Sequence, residues 1–320
     1  MTIRLYRAFE EGFGITRARL TTFAKTAPKK YKVYTIPKRS SGYRVIAHPS
    51  KSLKEKQKFL VTFLSDFFVS HPNSFAYKKG VGIKDNARIH LDTKYLLKMD
   101  FSDFFNSITV DLLALACDEN GIKVSTAELK LLENLLFWNK TKTIRGSQNL
   151  VLSVGSPTSP LVSNFVMYKF DVLMSDYCSQ NDINYSRYAD DITFSTNKKN
   201  SLFQVTRVVK DILSEHYSNR ITVNNIKTVF SSKAHNRHVT GITITNNNKL
   251  SVGRERKRLI STLIHKYTIG NIDIDDTVYL QGLLSFAIHV EPDFRVKMSK
   301  KYGFEVINTI LKLRVENDKH

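Results

Sequence analysis

An α+β fold built around a ferredoxin-like layer is predicted by three observations: a short buried strand at 95–100 that ends on Asp100, an alternating β-hairpin at 185–196, and helical segments before, between and after them. Each element carries its own local signal. In LKEKQKFLVTFLSDFF, residues 53–68, the side chains Leu53, Phe59, Leu60, Phe63, Leu64 and Phe67 recur at helical spacing. Tyr95–Asp100 reads as a strand whose last residue is a carboxylate. A Leu-rich stretch at 111–138 predicts two helices broken near Gly121, and 160–178 opens on Pro160, which suits a first helical turn. Within 185–196, Ile192 and Phe194 alternate with Thr193 and Ser195, while Ala189, Asp190 and Asp191 supply turn residues. After Lys249 the spacing is helical again. Leu259, Ile260, Leu263, Ile264 and Tyr267 form one face, and Arg254, Arg256, Lys257 and Arg258 crowd the first turns.

A chain of 320 residues, 42% of them hydrophobic, is expected to bury two or three packed subdomains. Scattered prolines and the lack of repeats or low-complexity tracts predict one continuous body without a flexible linker. Lys and Arg total 49 against 29 Asp and Glu, a net charge of +20, and 15 basic against 3 acidic residues fall in the first 60 positions. Such an excess points to a polyanionic partner, nucleic acid first. Charge alone does not separate a structural RNA binder from an enzyme. Cys117 and Cys178 lie far apart without zinc-ligand spacing, which fits a reduced, cytoplasmic setting. No apolar run reaches the roughly 18 residues of a membrane span, and Met1 to Gly14 lacks a signal-peptide core, so the expectation is a soluble chain with no membrane partner.

The chemistry rests on carboxylates. If the strand ending at Asp100 and the hairpin turn holding Asp190 and Asp191 are neighbours in one sheet, three carboxylates meet at one edge. Nucleotidyl transfer needs such an edge, because Mg2+ takes one or two carboxylates plus substrate phosphates in place of a full protein cage. Each piece alone has an ordinary reading: Asp-Asp is common turn chemistry, and Asp100 could cap the following helix. There is no Gly-x-x-x-x-Gly-Lys-Ser/Thr phosphate loop, which disfavours an ATPase, and no Gly-x-Ser-x-Gly nucleophile elbow. His235 and His238 lack the third ligand and glutamate of a zinc hydrolase.

Tyr-Ala-Asp-Asp at 188–191 and Lys98-Met99-Asp100-Phe101 resemble the C and A motifs of the right-handed reverse transcriptases. The resemblance implies a right-hand polymerase with fingers at 1–92 and 112–150, a ferredoxin-like palm at 93–111 and 151–248, and a helical thumb at 249–320. It implies two Mg2+ ions held by Asp100, Asp190 and Asp191, with Phe101 placed at both the metal and the substrate. Phe105 matches the aromatic that floors the sugar pocket, where a ring would clash with a ribose 2′ hydroxyl; core packing is the competing reading of the Phe104-Phe105 pair. Leu152–Asn164 resembles the B motif, whose glycine, here Gly155, lets the backbone approach template and nucleotide. Ser153 and Val154 depart from the family's usual Pro-Gln, which puts side-chain contact at 154 in doubt.

Lys38, Arg39 and Arg44 fall in a stretch resembling the first fingers block, where basic side chains grip the triphosphate. Arg44 is the strongest of them, because Arg44, Ile46 and Pro49 match the block; Lys38 and Arg39 are alternatively RNA contacts. Lys227 matches the D-motif lysine, a candidate general acid for the departing pyrophosphate.

Asn86-Ala87-Arg88-Ile89-His90 and Val239-Thr240-Gly241 further resemble the retron branch. That branch implies an RNA-directed DNA polymerase that copies a cognate structured noncoding RNA into RNA-linked single-stranded DNA (msDNA). It is self-primed from a 2′ hydroxyl, consumes deoxynucleoside triphosphates, and often works with an effector protein in antiphage defence. Arg254, Arg256 and Arg258 are then expected to lie on the RNA or the template–primer duplex through phosphate contacts. Two alternatives stay open: a reverse transcriptase of another bacterial branch, group II intron-like or diversity-generating, and an RNA-binding scaffold without turnover.

Overall fold

The computed structural model describes residues 1–38, 42–141 and 149–313. Helices α1 (Leu5–Phe13) and α2 (Arg17–Thr26) lead into a hairpin of β1 (Tyr31–Pro37) and β2 (Tyr43–Pro49), then α3 (Lys51–Leu64) and α4 (Ile83–Arg88). Strand β3 (Tyr95–Asp100) is followed by α5 (Phe104–Ser107), α6 (Val110–Glu119), α7 (Thr126–Leu136) and the short strands β4 (Trp138–Asn139) and β5 (Leu150–Val151). Next come α8 (Ser159–Val166), α9 (Tyr168–Gln180), β6 (Asn184–Tyr188), β7 (Asp191–Thr196), α10 (Leu202–Tyr217) and β8 (Val229–Ser232). The chain closes with β9 (Arg237–Val239), β10 (Ile242–Ile244), β11 (Leu250–Ser251), α11 (Arg254–Thr268), α12 (Ile274–Val290), α13 (Asp293–Tyr302) and α14 (Phe304–Lys312).

The central sheet has the order β6-β7-β3-β8, antiparallel throughout. Its strands and the intervening α8, α9 and α10 run β-α-β-β-α-β, the ferredoxin-like connectivity. In the β3–β7 register Asp100 stands opposite Asp191, Met99 opposite Ile192 and Leu97 opposite Phe194. Because side chains alternate across a strand, Leu97, Met99, Ile192 and Phe194 share one face. They join the main core with Phe170, Met174, Val205 and Val209 from the covering helices. Asp100 and Asp191 are left on the opposite face.

The helix predicted over 160–178 is interrupted at Met167. The cause comes from α10: the Tyr217 hydroxyl accepts a hydrogen bond from Phe170 N and donates one to Val166 O, both at 3.1 Å, so a side chain is inserted into the helical ladder. A second core holds Val239, Ile242 and Ile244 of the β9–β10 hairpin with Ile260, Leu263 and Ile264 of α11 and residues of α12 and α14. Leu259, expected on that buried face, is 41% exposed. Ile260, Leu263 and Ile264 of the same predicted face are buried.

The two retron-like blocks meet. Asn86 Nδ2 lies 3.3 Å from Thr240 Oγ1, and Thr240 and Gly241 form a two-residue hairpin turn with φ of 46° and 81°. A left-handed φ is strained for a β-branched threonine, so the turn depends on its neighbours to hold it. His90 is fully buried, with Nδ1 2.7 Å from Ser195 Oγ and Nε2 2.8 Å from Ser186 Oγ, so it ties β6 to β7. Burial holds its pKa down at about 3, against an ordinary 6.5. Stability is therefore complete above the unfolded value and is lost as pH falls through it, because only the unfolded chain takes up the proton. Wild type is expected to lose about 2 kcal/mol between about pH 7 and about pH 5 that His90→Asn does not lose, read from denaturant midpoints at each pH.

Candidate active site

The sheet register brings the predicted carboxylates together. Asp100 ends β3, Asp191 opens β7 beside it, and Asp190 occupies the intervening β6–β7 turn, where Ala189 adopts a φ of 57°. Phe101 N donates to Asp190 O at 3.0 Å, which extends the pairing one step beyond the strand ends. In extended backbone the N–H and C=O of one residue point the same way, so the Phe101 carbonyl also faces the Asp190 side. The Phe101 ring faces away and is buried against Phe104 and Phe170.

Like charges crowd here. Burial first, then the neighbouring carboxylates Asp190 and Asp100, push Asp191 up to about 6. Asp190 moves in the same direction, by burial and then Asp100. Asp191 keeps an edge open to solvent, which softens the burial part and leaves repulsion as the part a bound cation relieves. Asp100 is largely buried, and Lys227 Nζ donates to its Oδ1 at 2.9 Å. The lysine is placed by a short turn, Asn225–Lys227, in which the Asn224 side chain accepts from Ile226 N while Asn224 N donates to Asp100 O at 2.7 Å.

Among the described residues no group of three or more His, Cys, Asp and Glu side chains is placed to hold a metal ion. Hard oxygen donors, too few to close a cage and repelling one another without a cation, fit Mg2+ that also binds substrate phosphate.

Several residues that fix this geometry carried no role in the sequence reading. Arg187, fully buried on β6, forks onto Asp171 of α9, with Nε to Oδ1 at 2.8 Å and Nη2 to Oδ2 at 2.6 Å. Its Nη1 donates to Ala189 O and to Asn164 Oδ1, each at 3.1 Å, so one guanidinium holds the aspartate-bearing turn from behind. Tyr185 adds a hydroxyl donated to Asp171 at 2.6 Å. A signal was present: Arg187 falls at a core-facing position of β6 by alternation, and Asp171 lies on the inward face of α9 with Phe170, Met174 and Cys178. Each buried charge needs the other.

Around the carboxylates, Phe104 is buried in the core, whereas Phe105 is only partly buried, 6.4 Å from the Tyr77 ring. Gly155 makes its close approach against the β1–β2 hairpin. A Cβ there would lie 3.3 Å from Ala47 O, and the φ is 120°. Val154 O accepts from Ala47 N and Ser153 Oγ donates to Ala47 O, both at 3.0 Å, so these two residues join the B-like segment to β2. Arg44, exposed on β2, lies in electrostatic range of Asp190 and Tyr77. Lys38 is exposed at the end of the same hairpin, and Arg39 lies outside the described residues. On α11, Arg254 and Arg258 are exposed, but Arg256 turns back over the Phe286 ring at 5.2 Å and toward Gly241 O. It spends its charge inside the C-terminal lobe.

A ferredoxin-like sheet with paired carboxylates at one edge, a lysine on the first of them and a basic hairpin above defines a nucleic-acid polymerase of right-hand architecture. A family profile described as "Reverse transcriptase (RNA-dependent DNA polymerase)" matches residues 36–244. The chain is 48% identical over 282 residues to Retron Ec83 reverse transcriptase of Escherichia coli, spanning 88% of this chain and 90% of that protein. It is 30% identical over 292 residues to Retron Ec86 reverse transcriptase of the same organism, spanning 88% and 86%. Among solved structures, apo telomerase from Candida tropicalis aligns with a TM-score of 0.52 at 14% identity, over 88% of this chain and 57% of that one, a likeness of fold alone. The chain belongs to the reverse transcriptase family and, within it, to the bacterial retron branch; it is an RNA-directed DNA polymerase.

Proposed function

We propose that this enzyme copies a cognate structured noncoding RNA into RNA-linked single-stranded DNA, using Asp100, Asp190 and Asp191 to hold two Mg2+ ions. The observation that carries the proposal is the pairing of Asp100 with Asp191 in one sheet, with Asp190 in the adjoining turn. When bound, the ions would activate the primer hydroxyl and steady the leaving pyrophosphate. The chain's own residues do the rest. The Phe101 carbonyl supplies a further oxygen beside Asp190, and Arg44 and Lys38 draw in the triphosphate. Lys227 holds a proton at Nζ, ready for the departing pyrophosphate.

The fingers comprise 1–92 and 112–150, the palm 93–111 and 151–248, and the thumb 249–320, with the β9–β10 hairpin sharing the thumb's core. Arg254 and Arg258, exposed at the start of α11, suit RNA phosphates, and the basic first 60 residues add to the same attraction. Priming from a 2′ hydroxyl of the cognate RNA and action beside an effector in antiphage defence rest on the likeness to retron reverse transcriptases alone. Among the described residues no helix is long and apolar enough to cross a membrane. Two unpaired cysteines, Cys117 and Cys178, suit a reducing compartment, and we place the activity in the cytoplasm.

Phe105 tests the nucleotide site directly. With its ring as the barrier to a ribose hydroxyl, Phe105→Val should raise kcat/KM for ribonucleotides relative to deoxynucleotides by on the order of 10–100-fold in single-nucleotide extension of a primed RNA. An unchanged ratio in an active variant removes Phe105 from the pocket.

A further inference from the structure

We propose that Tyr77 contacts the incoming nucleotide, forming with Phe105 an aromatic wall of its pocket; the proposal rests on the polymerase reading above and names a residue that reading does not include. The segment before it is an added strand. Ser74 bridges Arg187 in parallel, Phe75 N donates to Arg187 O, and Arg187 N donates to Asn73 O, both at 2.8 Å, on the free edge of β6. Asn164 of α8, almost fully buried, fixes this strand by donating from Nδ2 to Ala76 O at 2.9 Å while its Oδ1 accepts from Ser74 Oγ at 3.0 Å. Ala76 fills the core, and the chain then turns at Tyr77 with a φ of 62°. That conformation is uncommon for a residue other than glycine, asparagine or aspartate and is strained. Its effect is to place a large aromatic outward.

The ring is 53% exposed, stands 6.4 Å from Phe105 at 48°, and lies in electrostatic range of Asp190 and Arg44. Burial and the Asp190 carboxylate raise its phenol above the usual tyrosine range, so the group is a neutral hydrogen-bond donor. Among the described residues the hydroxyl bonds to no other side chain. An amphipathic ring beside a second, partly buried ring and in electrostatic range of a carboxylate and an arginine suits the base and sugar of a nucleoside triphosphate. Neither core packing nor backbone economy requires it there.

The test is single-nucleotide incorporation on a primed RNA template with wild type, Tyr77→Ala, Tyr77→Gly and Tyr77→Phe, alongside primer–template affinity by gel shift. Both Tyr77→Ala and Tyr77→Gly should raise KM for the deoxynucleotide about tenfold or more, in excess of any change in kcat or in primer–template Kd. Tyr77→Phe should recover most of the loss, as expected if stacking dominates. The glycine variant relieves the left-handed backbone, so a KM rise shared by both truncations belongs to the ring. A wild-type KM in either folded truncation, or a loss confined to primer–template binding, overturns the proposal. A wild-type chain that incorporates nothing overturns the polymerase reading itself.

Discussion

Asp191→Asn is expected to lower deoxynucleotide incorporation on a primed RNA by on the order of 10³-fold or more, with near-normal folding. The substitution keeps size and hydrogen bonding while removing one of three carboxylates from an edge where Asp100 and Asp190 already repel it. Relief of that repulsion should slightly stabilise the metal-free protein, because Asp191 is held above its ordinary carboxylate range at a cost to the folded state. Activity and stability therefore move in opposite directions, a signature that a merely structural aspartate does not give. Thermal unfolding without added metal, measured beside incorporation rates, reads both; a variant that loses stability and activity together contradicts the assignment.

Arg187→Met is expected to cost about 3–5 kcal/mol of folding stability, because it strands the Asp171 carboxylate in the core. The second effect is on the site. Without Nη1, the Ala189 carbonyl loses a donor, and the strained turn that carries Asp190 and leads into Asp191 loses its anchor. Pairing Arg187→Met with Asp171→Leu should return most of the stability by removing the stranded charge. It should not return kcat, because the turn still lacks its donor. Urea unfolding of the two single variants and the double variant measures the coupling. Full recovery of both stability and kcat in the double variant would show that the arginine does not position the turn.

The parts of the fold legible in the sequence are those fixed by local rules. Tyr95–Asp100 matches its predicted bounds because a short apolar run ending on a carboxylate has few other readings, and alternation with turn chemistry predicts at 185–196 the hairpin that spans 184–196. The interruption at Met167 was hidden because Tyr217, far along the chain, supplies the hydroxyl that enters the ladder. Arg256 read as one of three equivalent basic residues, yet helical rotation sends it toward Phe286 while Arg254 and Arg258 face solvent. The carboxylates were legible as chemistry but not as geometry, since the Asp100–Asp191 register depends on which strands become neighbours. Tyr77 was silent for a simpler reason: its position follows from a left-handed φ and an asparagine on another helix, and neither leaves a periodic trace.

The most direct measurement is DNA synthesis in cells carrying the gene with its upstream region, comparing the native chain with Asp190→Asn plus Asp191→Asn and treating the product with ribonuclease. The expected result is a short DNA from the native chain whose mobility shifts when the attached RNA is digested, and which is missing from the double variant. A ribonuclease-sensitive DNA that persists without both aspartates would contradict the assignment of the active site, and the lack of any RNA-linked DNA from the native chain would contradict the proposed product.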